Sequence, residues 1–176
     1  MDKPISNVHF RLTSLSLRFR DFFRPQIDVV MAAGIRPGFH VLDFGCGIGS
    51  HTIIAGEIVG AKGKVYGLDI HPLAVKKVQE LAAKKRLTNI QTICSNCATG
   101  LDNESIDAVL LYDVFHGLSD PYWVLQEIHR VLRPDGLLSF CDHHMDNSEA
   151  VSRVTNTGLF MLSEKVRMTY RLLKAG

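Results

Sequence analysis

The chain has 176 residues, 46% hydrophobic and 22% charged, with 20 basic against 18 acidic residues for a formal net charge of +2. That length suits one domain burying roughly 70% of the surface its unfolded form exposes, so no disulfide or metal staple is required. The composition excludes disordered, collagen-like and coiled-coil chains, and the charge balance gives no general field for nucleic acid or an anionic membrane.

No apolar run reaches the ~18 residues of a membrane span. The opening MDKPISNVHFRL lacks a continuous apolar signal segment. Cys46, Cys94, Cys97 and Cys141 therefore read as reduced thiols, and a cytoplasmic location is expected.

Taken in order, residues 1–36 read as one or two amphipathic helices. Phe19, Phe22, Phe23, Ile27, Val30 and Met31 recur at helical spacing, Pro25 kinks or divides the run, and Gly34 can stop it. The segment is rich in arginine (Arg11, Arg18, Arg20, Arg24, Arg36). Strands are then expected at FHVLDF (39–44), KVYGLD (64–69), NIQTIC (89–94), IDAVLLYD (106–113) and GLLSFCD (136–142), the last entered through an Arg-Pro-Asp-Gly turn. Helices are expected at 51–60, 72–87, 121–132 and about 148–156, with Pro72 in a first turn and Asp120 as an N-cap. Two final strands around Val166 and Arg167 are joined too closely for a helical crossover, so they should pair antiparallel. Strands alternating with helices imply an α/β fold, a parallel sheet covered on both faces, with ligands outside the carboxyl ends of the strands.

The strongest motif is Asp43-Phe44-Gly45-Cys46-Gly47-Ile48-Gly49-Ser50, a glycine-rich turn between a strand and a helix. Alternate glycines allow a tight pass against a ligand, and the helix opened by Gly49 offers free N–H groups. Asp69, 20 residues beyond Gly49, ends the next strand, where a carboxylate can accept both ribose hydroxyls of a nucleoside. The sixth position of the turn is Ser50 rather than glycine, which argues against a nicotinamide dinucleotide. Asp43 before the turn would repel a pyrophosphate but suit a cationic ligand group, or it could cap the turn.

VLDFGCGIGSHT, VYGLDIHP, SNCATG, IDAVLLYDVFHGL and EIHRVLRPDGLLSF, in that order, resemble the successive motifs of class I S-adenosylmethionine-dependent methyltransferases, and among them the small-molecule enzymes of the ubiquinone/menaquinone-biosynthesis type. The resemblance implies a Rossmann-like three-layer sandwich, its mostly parallel seven-stranded sheet in the order 3-2-1-4-5-7-6 with an antiparallel last strand. It implies S-adenosyl-L-methionine as cofactor, bound by residues 37–176; residues 1–36 are expected to lie over the cleft as a helical lid, since no insertion after strand four or five is large enough to be a substrate domain. Asp43 would lie near the methionine amino group, with Gly45, Cys46, Gly47 and Gly49 around the methionine and ribose. Asp69 would take the ribose hydroxyls, Ile70 the adenine face, Asn96 the adenine amine, the Cys97 N–H a ring nitrogen, and Tyr112 a place near the sulfonium. Asn96 stands where the family usually has aspartate; its amide oxygen can still accept from the amine, without charge assistance.

With the methyl group already activated, the protein mainly aligns a nucleophile, and a base is needed only where the acceptor must lose a proton. His116 is the preferred acid/base candidate, because imidazole titrates near neutrality. Phe19, Phe23, Asp113 and His143 are expected at the acceptor, and of the adjacent His143 and His144 only one could point inward. No metal is expected: the catechol-type magnesium set would have an amide where His143 stands, and magnesium prefers oxygen. The base-stacking Pro-Pro motif of nucleic-acid amino methyltransferases is absent after Tyr112, so a small-molecule acceptor is expected rather than nucleic acid. A homo-oligomer is compatible with these features, and so is an accessory protein that binds the cofactor without transfer.

Overall fold

A computed structural model describes residues 4–23 and 26–175, with the side chains of all of these except 17, 18 and 20–23. Two helices, α1 (Asn7–Phe23) and α2 (Ile27–Ala32), lead into β1 (His40–Phe44), α3 (Ser50–Val59), β2 (Lys64–Asp69), α4 (Pro72–Lys85) and β3 (Ile90–Cys94). Then come β4 (Ile106–Tyr112), α5 (Pro121–Val131), β5 (Leu132–Cys141), α6 (Asn147–Thr155), β6 (Phe160–Val166) and β7 (Thr169–Lys174). One seven-stranded sheet has the order β3-β2-β1-β4-β5-β7-β6. The first five strands pair in parallel, while β7 pairs antiparallel with both β5 and β6.

The alternation of β4 explains the layers. Val109 and Leu111 enter a core with Leu125 and Ile128 of α5, Phe140 and Phe160, whereas Ala108, Leu110 and Tyr112 enter a second core with Val30 of α2 and Ala55 and Val59 of α3. A two-residue period thus buries both faces of one central strand. The stops are local: Gly34 takes φ +76 after α2, and Arg86 takes φ +58 to end α4. Asp120 accepts the Trp123 N–H at 3.1 Å to start α5, and Asp146 accepts those of Ser148 and Glu149 to start α6.

Two local expectations change. Strand β5 begins at Leu132, four residues early, because Leu132 already pairs with Ile106 before the register jumps to Leu137 opposite Ala108. The Arg-Pro-Asp-Gly residues form the bulge between those two pairings instead of a turn ahead of the strand. A short 3₁₀ turn at Phe115–Gly117 follows β4, where a loop is expected from the sequence. Strand order reverses between β1 and its two neighbours, β2 on one side and β4 on the other, which opens a crevice at their carboxyl ends.

Candidate active site

The glycine turn is built by backbone bonds. Gly45 and Cys46 both donate N–H to the Leu68 carbonyl at 2.8 Å, tying the turn to β2. Gly45 has φ +83, and a Cβ there would stand 2.3 Å from Val114 Cγ2, so glycine is required on both counts. Gly47, at φ +52, has open space where a side chain would be. Asp69 fastens the turn from the other side: its Oδ2 accepts the Gly47 N–H at 2.9 Å and its Oδ1 accepts the His71 N–H at 2.7 Å. Burial raises the Asp69 pKa above the ordinary carboxylate value, although the His71 and Gly47 bonds pull the other way.

A cleft of about 670 Å³ opens beside this turn, within the ~300–1,000 Å³ usual for small-molecule sites. Of the expected cofactor residues, Gly45, Cys46, Gly47, Asp69, Ile70, Asn96 and Tyr112 line it. Three do not. Gly49 lies behind the wall, opening α3 at φ +87. The Cys97 N–H donates to Ser95 Oγ at 3.3 Å, and Ser95 lines the cleft in its place. Asp43 is 2% exposed beneath the turn, its Oδ2 accepting the Thr52 hydroxyl at 2.5 Å, so it braces α3 against β1 instead of forming the wall.

His71 was not singled out from the sequence, yet it lines the cleft. Its Nδ1 accepts the Leu73 N–H at 3.1 Å, so the ring proton of the neutral form sits on Nε2, which is buried and has no partner among the described residues. An unsatisfied donor at a cleft wall fits a polar ligand edge. With the two Asp69 oxygens, the open space at Gly47 and the adjacent amide of Asn96, these residues suit a nucleoside.

Burial lifts the Asp43 carboxyl to about 7, with the nearby Asp69 charge adding to the rise and the Thr52 bonds opposing it. The folded chain therefore holds this proton more tightly than the unfolded chain, whose value is near 3.8. Stability from this group is fully present below about pH 4 and is lost as pH climbs through about 7. Asp43→Asn keeps an acceptor for Thr52 and removes the titration, so denaturant unfolding should show a variant-minus-parent difference that grows by roughly 4 kcal/mol between about pH 4 and pH 8. A difference independent of pH is the contrary result.

Two carboxylate–imidazole pairs cross between the segments after β4 and β5. The buried Asp142 accepts the His116 N–H at 2.8 Å, the His144 N–H at 3.0 Å and His116 Nδ1 at 3.0 Å. Asp113 accepts the N–H and Nδ1 of His143 at 2.9 and 2.8 Å. Burial pushes the Asp113 pKa up, but the His143 backbone and ring bonds and the imidazoles of His143 and His144 outweigh it, leaving it below the ordinary value. Toward an accepting carboxylate oxygen the matching neutral tautomer of each ring has its proton on Nδ1 and its lone pair on Nε2.

His116, Asp113 and His144 line the cleft, whereas His143, expected at the acceptor, stands outside the lining beside Asp113. The His116 and His144 rings lie 4.3 Å apart. Asp113, Cys141 and His143 bring an oxygen, a sulfur and a nitrogen within 4.8 Å of one another.

The N-terminal segment also differs from expectation. Ile5, His9, Phe10 and Thr13 line the cleft, and Phe10 stacks on His71 at 4.3 Å. Phe19 is 68% exposed and outside the lining; the side chain of Phe23 lies outside the described residues. Among the described residues no helix is long and apolar enough to cross a membrane.

Residues 35–172 match the family model of a methyltransferase domain. The chain is 30% identical to the demethylmenaquinone methyltransferase of Geobacillus stearothermophilus over 74% of its own length and 56% of that protein's. It is likewise 30% identical to the Listeria monocytogenes enzyme of the same name (strain HCC23), over 88% of this chain and 65% of the relative. It thus spans a little over half the length of the first of these relatives. Its fold matches a SAM-dependent methyltransferase from Aquifex aeolicus with a TM-score of 0.76, at 23% identity, covering 89% of this chain and 97% of the other. The matched domain, the sheet order and the cleft at the glycine turn together make this chain a member of the class I S-adenosylmethionine-dependent methyltransferases.

Proposed function

We propose that this chain transfers a methyl group to a small acceptor that must lose a proton to react, with His116 as the base and Asp142 as its positioning residue. The observation that carries the reading is His116, on the wall of the cleft that also contains Gly45, Gly47 and Asp69, bonded through Nδ1 to the buried Asp142. When bound, S-adenosylmethionine supplies a methyl group already activated on a sulfonium. Gly45, Cys46, Gly47, Asp69, Ile70 and Asn96 would hold it, with Asp43 acting through the turn it supports.

The remaining work is the proton transfer. His116 takes the acceptor proton at Nε2, and Asp142 both fixes the ring and stabilises the imidazolium that forms. Ile5, Phe10 and Leu118 add apolar wall to the same cleft, where Phe10 stacks on His71 and gives the lid an aromatic surface. That mixture supports a hydroxylated aromatic acceptor, in keeping with relatives named for demethylmenaquinone.

The test is to incubate the chain with S-adenosylmethionine and a panel of reduced naphthoquinols, phenols and thiols. S-adenosylhomocysteine release and product mass are followed. Turnover with a quinol or phenol is the expected result. Tight cofactor binding with no transfer to any member would favour an accessory protein and sink this reading.

A further inference from the structure

One side of α1 faces away from the cleft. Val8, Leu12 and Leu15 are 69%, 66% and 66% exposed, and Phe19, four residues further, is 68% exposed. At ~100° per residue the first three fall within an arc of roughly 60°, well apart from His9, Phe10 and Thr13, which line the cleft. Beside this apolar row a groove of about 430 Å³ runs between α1 and α4, lined in part by Arg11, Ser14, Leu15, Lys76, Lys77 and Glu80. Lys77 approaches Glu80 at 3.6 Å, so three cations share the groove with one carboxylate. Ser14 Oγ is buried and has no hydrogen-bond partner among the described residues.

We propose that this face seats the chain on an anionic phospholipid surface. Val8, Leu12 and Leu15 enter the acyl boundary, and a headgroup phosphate occupies the groove. Arg11, Lys76 and Lys77 supply charge there, and Ser14 supplies a hydroxyl donor. A helix with an apolar row flanked by basic residues is the form that lies in a bilayer interface. A second copy of this chain is a poorer occupant, because a two-fold contact along the row would bring Arg11 and the basic groove of each copy together.

Ile5, His9, Phe10 and Thr13 belong to the same segment, so docking would set the lid of the cleft at the lipid boundary. An apolar acceptor dissolved in the bilayer could enter there. That consequence rests on the proposed function; the docking does not.

The chain is sedimented with vesicles of phosphatidylcholine alone and of phosphatidylcholine mixed with phosphatidylglycerol, at low and high salt. Binding is expected on the mixed vesicles, weakening as salt rises. Val8→Glu with Leu12→Glu should lower vesicle partition by at least ~10-fold, and Arg11→Glu with Lys76→Glu by roughly 10-fold, selectively on the anionic vesicles. S-adenosylhomocysteine affinity serves as the folding control and should stay unchanged. Parent chain that remains in the supernatant with anionic vesicles overturns the proposal, as do variants that bind like the parent. So does inorganic phosphate bound as tightly as the vesicles. A parent dimer that Val8→Glu with Leu12→Glu turns into a monomer, with no vesicle binding, overturns it in favour of self-association.

Discussion

Asp69→Ala should cost at least ~100-fold in affinity for S-adenosylhomocysteine, read by calorimetry. Two losses combine. The carboxylate disappears from the cleft wall, where the proposed reading has it accept sugar hydroxyls. The N–H groups of Gly47 and His71 also lose their acceptor, each at a cost of about 1–3 kcal/mol when left unsatisfied in a buried place. Those two N–H groups are left unsatisfied with or without ligand and so mainly loosen the turn, whereas two lost hydroxyl bonds to a charged group, at about 1.5–3 kcal/mol each, reach the stated loss at 1.4 kcal/mol per tenfold. Asp69→Asn is the sharper probe. Both oxygens accept from backbone N–H groups, so an amide must turn one NH₂ toward another donor, and affinity should fall although size is kept. Unchanged affinity in both variants would remove the cofactor from this cleft.

His116→Ala should lower kcat by about 10²–10⁴-fold, with cofactor affinity nearly unchanged, because the ring is asked to move one proton and its bonds go to Asp142 rather than to the glycine turn. Asp142→Asn should approach the same loss without removing the imidazole. Its amide no longer enforces a proton on Nδ1, so the ring can protonate Nε2 and lose the lone pair that takes the acceptor proton. A purely structural role for Asp142 would instead raise KM and lower stability together while sparing kcat. A rate untouched by His116→Ala rejects the base assignment.

The sequence carried the fold far because the signals involved are local. Alternation in IDAVLLYD, helical spacing in PYWVLQEIHRVL and the proline and aspartate at helix starts each depend on residues a few positions apart. The Arg-Pro-Asp-Gly segment shows the limit. Its turn chemistry is legible, but whether it precedes a strand or bulges from one depends on Leu132 pairing with Ile106 of another strand. His71 carries no local signal either: it caps α4 through Nδ1, and the burial of its Nε2 without a partner among the described residues depends on the fold around it.

By itself the sequence determined the strand-turn-helix at Gly45–Gly49, the acidic end of β2 and the antiparallel closing hairpin, since backbone conformation and periodicity are written in neighbouring residues. Only the tertiary structure decided how the histidines divide. His116 and Asp142 are 26 positions apart and Asp113 and His143 are 30 apart, so neither pairing has any local signal. They meet because β4 and β5 are adjacent and parallel, which delivers both carboxyl ends to one place. The same packing turned His144 into the cleft and left His143 outside its lining, and it chose Phe10 over Phe19 for the wall. Side-chain direction at a strand end or on a helix is fixed by which neighbour it packs against, and that neighbour is supplied by the fold.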